Sequence, residues 1–232
     1  MPSFDGRASA IASSGVRMLR ALGLGDALDG AGCPILGIRV TDRLSPRLLH
    51  FDSAEAEPSG PLGIMLENRE LRFALLQRLR EDGRVRLYAP ATIRETVRDA
   101  HAARVTLADG RELVAPVLLA CDGRGSMLRR QAGIRLAEWQ YDGTAIASML
   151  AHEKPHNDIA SELFYAAGPF AQLPMNDLAD GRHRSALVWT VRRRDAGGVK
   201  ALSARAFAHE AERHMGGFLG RIVPIAAVQS FP

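Results

Sequence analysis

Two cysteines, Cys33 and Cys121, are all that 232 residues provide. So few cannot build a disulfide framework; they suit a reducing compartment and read as two buried thiols. Charge of one sign is also scarce. Thirty Lys and Arg against 26 Asp and Glu leave +4, far below the basic density of a dedicated nucleic-acid module, so no nucleic-acid partner is expected. The one tight basic cluster is Arg192-Arg193-Arg194. No apolar stretch approaches the roughly 18 residues of a membrane span, and the first residues lack the charged start and long apolar run of a signal peptide. What is present is an ordinary globular mixture, 47% hydrophobic and 24% charged. That is enough for one large domain or two modest ones around a real core. The expectation is a soluble, cytoplasmic protein of mixed structure.

Hydrophobic spacing gives the element order. Ala8 to Leu22 reads as a helix stopped by Gly23 and Gly25. Pro34 to Val40 and Arg47 to Phe51 read as strands turning at Ser45-Pro46, and Gly63 to Leu66 as a short strand. Asn68 is placed to cap a helix with an apolar stripe of Leu71, Leu75, Leu76 and Leu79. Val85 to Tyr88, Thr92 to Val97 and Ala103 to Leu107 follow as strands, with Asp109-Gly110 as a hairpin signal. Val114 to Ala120 is a continuous apolar run of the kind buried on both faces of a parallel sheet. Ser126 to Ala132 reads as a helix ended by Gly133. Beyond it, Thr144 to Leu150, Ala160 to Phe164, Phe170 to Leu173 and Arg184 to Val191 suggest a mostly antiparallel sheet, and Ser203 to Met215 one more helix. Residues 1–137 thus read as one domain, with inserted strands near 34–52 that could join the second sheet. Residues 138–232 form the other.

The apolar run ends in Asp122-Gly123-Arg124-Gly125-Ser126. A carboxylate at the carboxyl end of a parallel strand sits where α/β sheets bind ligands. Asp122 can accept from a ribose hydroxyl, Gly123 and Gly125 let backbone N–H groups approach a phosphate, and Ser126 can cap the next helix. An ordinary capped strand–turn–helix explains the same residues equally well. His152 and His156 have a spacing that helical metal ligands use, but Pro155 breaks such a helix and no third ligand is evident, so no metal is expected. Ser126 lacks a Gly-x-Ser-x-Gly elbow, which argues against a hydrolase. Trp189 reads as packing. The Arg192–Arg194 run reads as a solvated strand end that could also meet acidic lipid headgroups.

Leu118-Leu119-Ala120-Cys121-Asp122-Gly123-Arg124-Gly125-Ser126-Met127-Leu128-Arg129 resembles the Asp-Gly motif of the aromatic-hydroxylase flavoproteins. Phe4-Asp5-Gly6-Arg7-Ala8-Ser9-Ala10-Ile11-Ala12 and Glu67-Asn68-Arg69-Glu70-Leu71-Arg72 resemble the ubiquinone-biosynthesis branch of that family. So do Tyr141 to Ile146, Glu153 to Asn157, Gly168 to Met175 and Ser185 to Thr190, all in the same order. The resemblance implies a mixed α/β fold, with a partial Rossmann-like FAD/NAD(P)-binding domain and a mostly antiparallel substrate sheet.

It also implies an FAD-dependent, NAD(P)H-using monooxygenase that hydroxylates a polyprenylated phenol, with peripheral membrane or biosynthetic-complex association compatible. On that resemblance Arg7, Arg72, Asp122, Gly123 and Ser126 contact the cofactor, and Pro169, Phe170 and Leu173 line the substrate pocket; no catalytic side chain is assigned. The family's Gly-x-Gly-x-x-Gly turn and its later Gly-Asp-Ala motif are not found, and Gly23-Leu24-Gly25 lacks the third glycine. The chain therefore reads as an internal portion of a longer hydroxylase, inactive alone. The rival reading is a non-catalytic interaction or prenyl-lipid-binding module derived from the same fold.

Overall fold

The computed structural model describes residues 7–42, 47–56 and 60–231. Their contacts group into two compact units, one from residues up to Asp82 together with those from Asp142 onward, the other Gly83–Tyr141.

In chain order the first unit begins with β1 (Ala8–Ala12), α1 (Ser13–Ala21), α2 (Gly25–Ala31), β2 (Cys33–Ile35), β3 (Gly37–Asp42), β4 (Leu48–Asp52), β5 (Gly63–Glu67) and α3 (Asn68–Glu81). The second unit holds β6 (Ile93–Arg98), β7 (Ala103–Leu107), β8 (Glu112–Ala115) and α4 (Met127–Gln131). The first resumes with β9 (Gly143–His152), β10 (Ile159–Tyr165), β11 (Gly168–Met175), β12 (His183–Arg192), α5 (Arg193–Lys200), α6 (Ala204–Met215), β13 (Ile222–Pro224) and β14 (Gln229–Phe231).

The first unit is built on an eight-stranded sheet. Seven strands run in the order β13-β9-β12-β11-β10-β3-β4, and β14 also pairs with β9. Every pairing in it is antiparallel except β3 with β10, which run parallel from Gly37 opposite Ile159. The expected inserted strands near 34–52 thus contribute β3 and β4 to this sheet. Because side chains alternate faces along a strand, each strand feeds two cores. Ile146, Leu150, Phe170, Leu187, Trp189 and Val191 pack with Phe207, Ala211 and Met215 of α6. The opposite face carries Met149, Ala160, Met175 and Ala186 against Cys33, Ile35 and Met65 of the small sheet β1-β5-β2. Close approach is enforced at the β10–β11 turn. Gly168 has φ +133°, and a Cβ there would lie 2.7 Å from a Thr190 methyl.

Several sequence expectations are corrected. Residues 8–12 are strand rather than helix, since they pair along their whole length with β5; the cross-strand ladder outweighs their helical spacing. Asn68 is the first helical residue of α3, not its cap, and its Oδ1 accepts from Ser9 Oγ at 2.6 Å. Of the α3 stripe, Leu71 and Leu75 pack inward while Leu76 and Leu79 are exposed. Val85–Tyr88 and Val117–Ala120 take no strand. Among the described residues no neighbouring strand satisfies the backbone of 117–120, and without such a ladder an extended segment gains nothing over irregular chain. Val117 and Leu119 stand exposed, and so does the Cys121 thiol. Glycine-rich α2 and α5 were not expected as helices. The Ser45-Pro46 turn lies outside the described residues.

Candidate functional site

In the 83–141 unit the site candidate is the turn into α4. Asp122 stands before the helix and turns both carboxylate oxygens onto it. Oδ1 accepts from Ser126 Oγ at 2.6 Å, and Oδ2 from the N–H groups of Met127 at 2.8 Å and Leu128 at 3.3 Å. Ser126 Oγ in turn accepts from Arg129 N at 3.0 Å. Four donors at a helix start are therefore satisfied from within the turn. The Ser126 hydroxyl, followed by those amides, holds the Asp122 carboxyl below its usual range. Gly123 has φ +84°, and a Cβ at Gly123 or Gly125 would meet nothing within 4 Å. The backbone here is open to a ligand. A carboxylate offers roughly four acceptor sites; three are used, so a ribose hydroxyl would find the one remaining on Oδ1. The residues fit a cofactor's sugar more readily than its phosphate, because the amides at the helix start already serve Asp122.

In the first unit, Arg7 precedes β1. Its carbonyl accepts from Asn68 N at 3.1 Å, and its guanidinium lies 5.3 Å from the Phe231 ring centroid. Arg72 projects from α3 and is exposed. Nearby, Glu67 and Arg184 join the two sheets through a 2.8 Å ion pair that is largely buried, with Arg184 also donating to the Asn176 carbonyl. Sequence reading missed this link, which connects residues 117 positions apart.

The three expected pocket residues do not share a face. Phe170 is fully buried, stacked on His214 at 5.4 Å and tilted against Trp189 at 5.8 Å. Pro169 and Leu173 lie on the other face, where Leu173 packs against the Met149–Met175 cluster. The period of two dictates this: positions 169 and 173 share a side that 170 cannot. Two clefts on the helix-covered side, of about 490 and 910 Å³, include none of these three residues in their linings.

Behind Phe170 runs a buried polar chain. Gln172 Nε2 donates to Ser185 Oγ at 2.9 Å, and Ser185 Oγ meets His152 Nε2 at 2.8 Å, while His152 Nδ1 meets the Lys154 carbonyl at 2.8 Å. A carbonyl accepts only, so Nδ1 carries the proton and Nε2 accepts from Ser185. Burial holds the imidazole below its usual range. His152 and His156 sit in strand and loop, not on a helix.

Known proteins align with this architecture. Residues 2–217 match the family described as FAD binding domain. The ubiquinone hydroxylase UbiL of Rhodospirillum rubrum is 44% identical over 222 residues, 96% of this chain and 50% of that protein. The 3-demethoxyubiquinol 3-hydroxylase of Escherichia coli is 28% identical over 223 residues, 96% of this chain and 56% of its own length. The chain spans about half the length of these curated relatives. Among solved structures, PqsL of Pseudomonas aeruginosa, described as a probable FAD-dependent monooxygenase, superposes with a TM-score of 0.76 at 20% identity over 99% of this chain and 64% of that one. HpxO of Klebsiella pneumoniae, solved with FAD and uric acid, gives 0.66 at 19% identity over 97% and 59%. The fold is thus that of the aromatic-hydroxylase flavoproteins, and the chain belongs to the FAD binding domain family.

Proposed function

We propose that this chain is part of an FAD-dependent monooxygenase that hydroxylates a polyprenylated phenol in ubiquinone biosynthesis. The observation that carries the reading is the 44% identity to a ubiquinone hydroxylase along 96% of the chain. Bound FAD would supply the redox and oxygen chemistry, with NAD(P)H as the electron donor; the protein's part is position, field and exclusion of water. On this reading residues 1–137 carry the cofactor side and 138–232 the substrate side. Asp122 offers its remaining acceptor site to a cofactor hydroxyl, and Gly123 opens the backbone beside it. Ser126 keeps Asp122 oriented rather than touching ligand. Arg7 and Arg72 supply positive charge for cofactor phosphates. Pro169 and Leu173 present an apolar wall to an aromatic ring, and Phe170 supports that wall from behind.

No helix among the described residues is long and apolar enough to cross a membrane. On the proposed reading, a substrate with a prenyl tail is met at a bilayer surface or handed over by a partner, with the protein on the cytoplasmic side. The test is quenching of FAD fluorescence on titration with the purified chain, repeated with Arg7→Ala and Asp122→Asn. Saturable binding weakened by both substitutions supports the cofactor roles. Binding untouched by either removes them, and no binding at all leaves a fragment of a longer hydroxylase and the non-catalytic module both standing.

A further inference from the structure

We propose that Cys33, His156 and Asp158 form a site for a divalent cation of the zinc class. The three come from β2 and from the loop between β9 and β10, and one ligand atom from each lies within 4.8 Å of the other two. Cys33 Sγ is 3.6 Å from Asp158 Oδ1, and His156 Nδ1 is 3.8 Å from the same oxygen. Metal–ligand bonds of about 2.0–2.3 Å at tetrahedral angles place neighbouring donor atoms roughly 3.3–3.6 Å apart. The sulfur–carboxylate gap already matches that spacing, the imidazole–carboxylate gap is slightly wider, and all three atoms lie within 4.8 Å of one another, so a small inward shift of the His156 ring would complete the set.

The surroundings are built the same way. His156 Nε2 faces the Met175 carbonyl at 3.0 Å. A carbonyl only accepts, so the proton sits on Nε2 and the lone pair on Nδ1, turned toward Asp158; such a carbonyl partner is the usual orienting device for a metal-bound imidazole. At present Nδ1 accepts from Asp158 N at 3.0 Å, and that contact would yield to the cation. Asn157 and Asp158 both hold left-handed backbone, with φ of 53° and 56°. Two consecutive non-glycine residues adopt this at a cost, and its effect here is to bring the carboxylate to the sulfur. His152 stands beside His156 at 5.8 Å between ring centroids, but both its nitrogens are engaged as described, so it supports rather than ligates.

Charge balances as well. A doubly charged cation facing one thiolate, one carboxylate and a neutral imidazole leaves no net charge. A thiol ligates as the thiolate, so binding forms a metal–sulfur bond, breaks the S–H bond and releases that proton to solvent. Asp158 is partly exposed and gives the entry path, and a water would supply the fourth ligand.

The test uses the untagged chain carrying Cys121→Ser, which leaves Cys33 as the one thiol, loaded with Co²⁺ as probe. We expect one equivalent retained through desalting, a thiolate-to-cobalt charge-transfer band in the near ultraviolet, displacement by Zn²⁺, and affinity that rises with pH. Cys33→Ser should abolish the band, and His156→Ala or Asp158→Asn should weaken retention at least about tenfold. Circular dichroism of each variant separates lost ligation from lost fold. A folded Cys121→Ser chain that shows no band, or a band that survives Cys33→Ser, overturns the proposal.

Discussion

Asp122 and Ser126 divide one task between them: the carboxylate takes the hydroxyl and two helix amides, and the hydroxyl oxygen takes the third amide. Ser126→Ala removes a donor and an acceptor at once and should cost about 1 kcal/mol, read from the urea midpoint. The cap was legible in the sequence because serine before a helical run has few other uses. The buried residues were not legible in this way. His152 met Ser185 and Gln172, and Cys33 met Asp158, only once distant strands had paired. Nothing in local spacing marks such encounters. His152 gives a pH prediction whose sign follows from burial. Its folded pKa lies below the ordinary 6.5. Above 6.5 neither state holds the proton and stability is full. As pH falls through that value the unfolded chain takes up a proton that the folded chain resists, so stability drops until the folded pKa is reached. Urea midpoints from about pH 7.5 to 5 should decline in the wild type and decline less in His152→Gln.

At the scale of elements, alternation carried most of the reading. β9 to β12 were found within a few residues because apolar side chains on both faces, in strands of seven to ten residues, leave little else to be. The same alternation separates Phe170 from Leu173. Phe170→Ala opens a cavity against α6 and should destabilise by about 3–5 kcal/mol, while Leu173→Ala, partly exposed, should cost clearly less; chemical denaturation of both variants tests the ranking. Helical spacing misled at residues 8–12 and a continuous apolar run at 117–120, because there the outcome depends on whether a partner strand stands alongside. The link between β5 and β12 offers a second comparison. Glu67→Gln leaves Arg184 short of a buried counter-charge and should cost about 3 kcal/mol. Asp29→Asn, which breaks an exposed pair with Arg20, should cost under about 1 kcal/mol. Equal losses in the two variants would contradict the burial argument.

For the whole molecule, the two units differ in how well they are filled. The 83–141 unit buries Ala103, Val105, Leu107 and Leu128 but leaves Val117, Leu119, Ile134, Leu136 and Trp139 exposed. Its amides should exchange with deuterium well before those of β9, β11 and β12. Val117→Lys with Leu119→Lys should raise solubility, measured by light scattering on concentration, without lowering the melting temperature. Equal protection in both units, or loss of stability in the lysine variant, would count against this picture. Finally, Gly37 lies opposite Ile159 at the one parallel seam found in the large sheet among the described residues. On the ribosome β3 and β4 must wait for more than a hundred further residues before that seam can close, so the early strands spend that interval unsheltered. Folding of this molecule is timed from its carboxyl-terminal half, and a synonymous change that slows translation between residues 52 and 159 should lower soluble yield although every amino acid is unchanged.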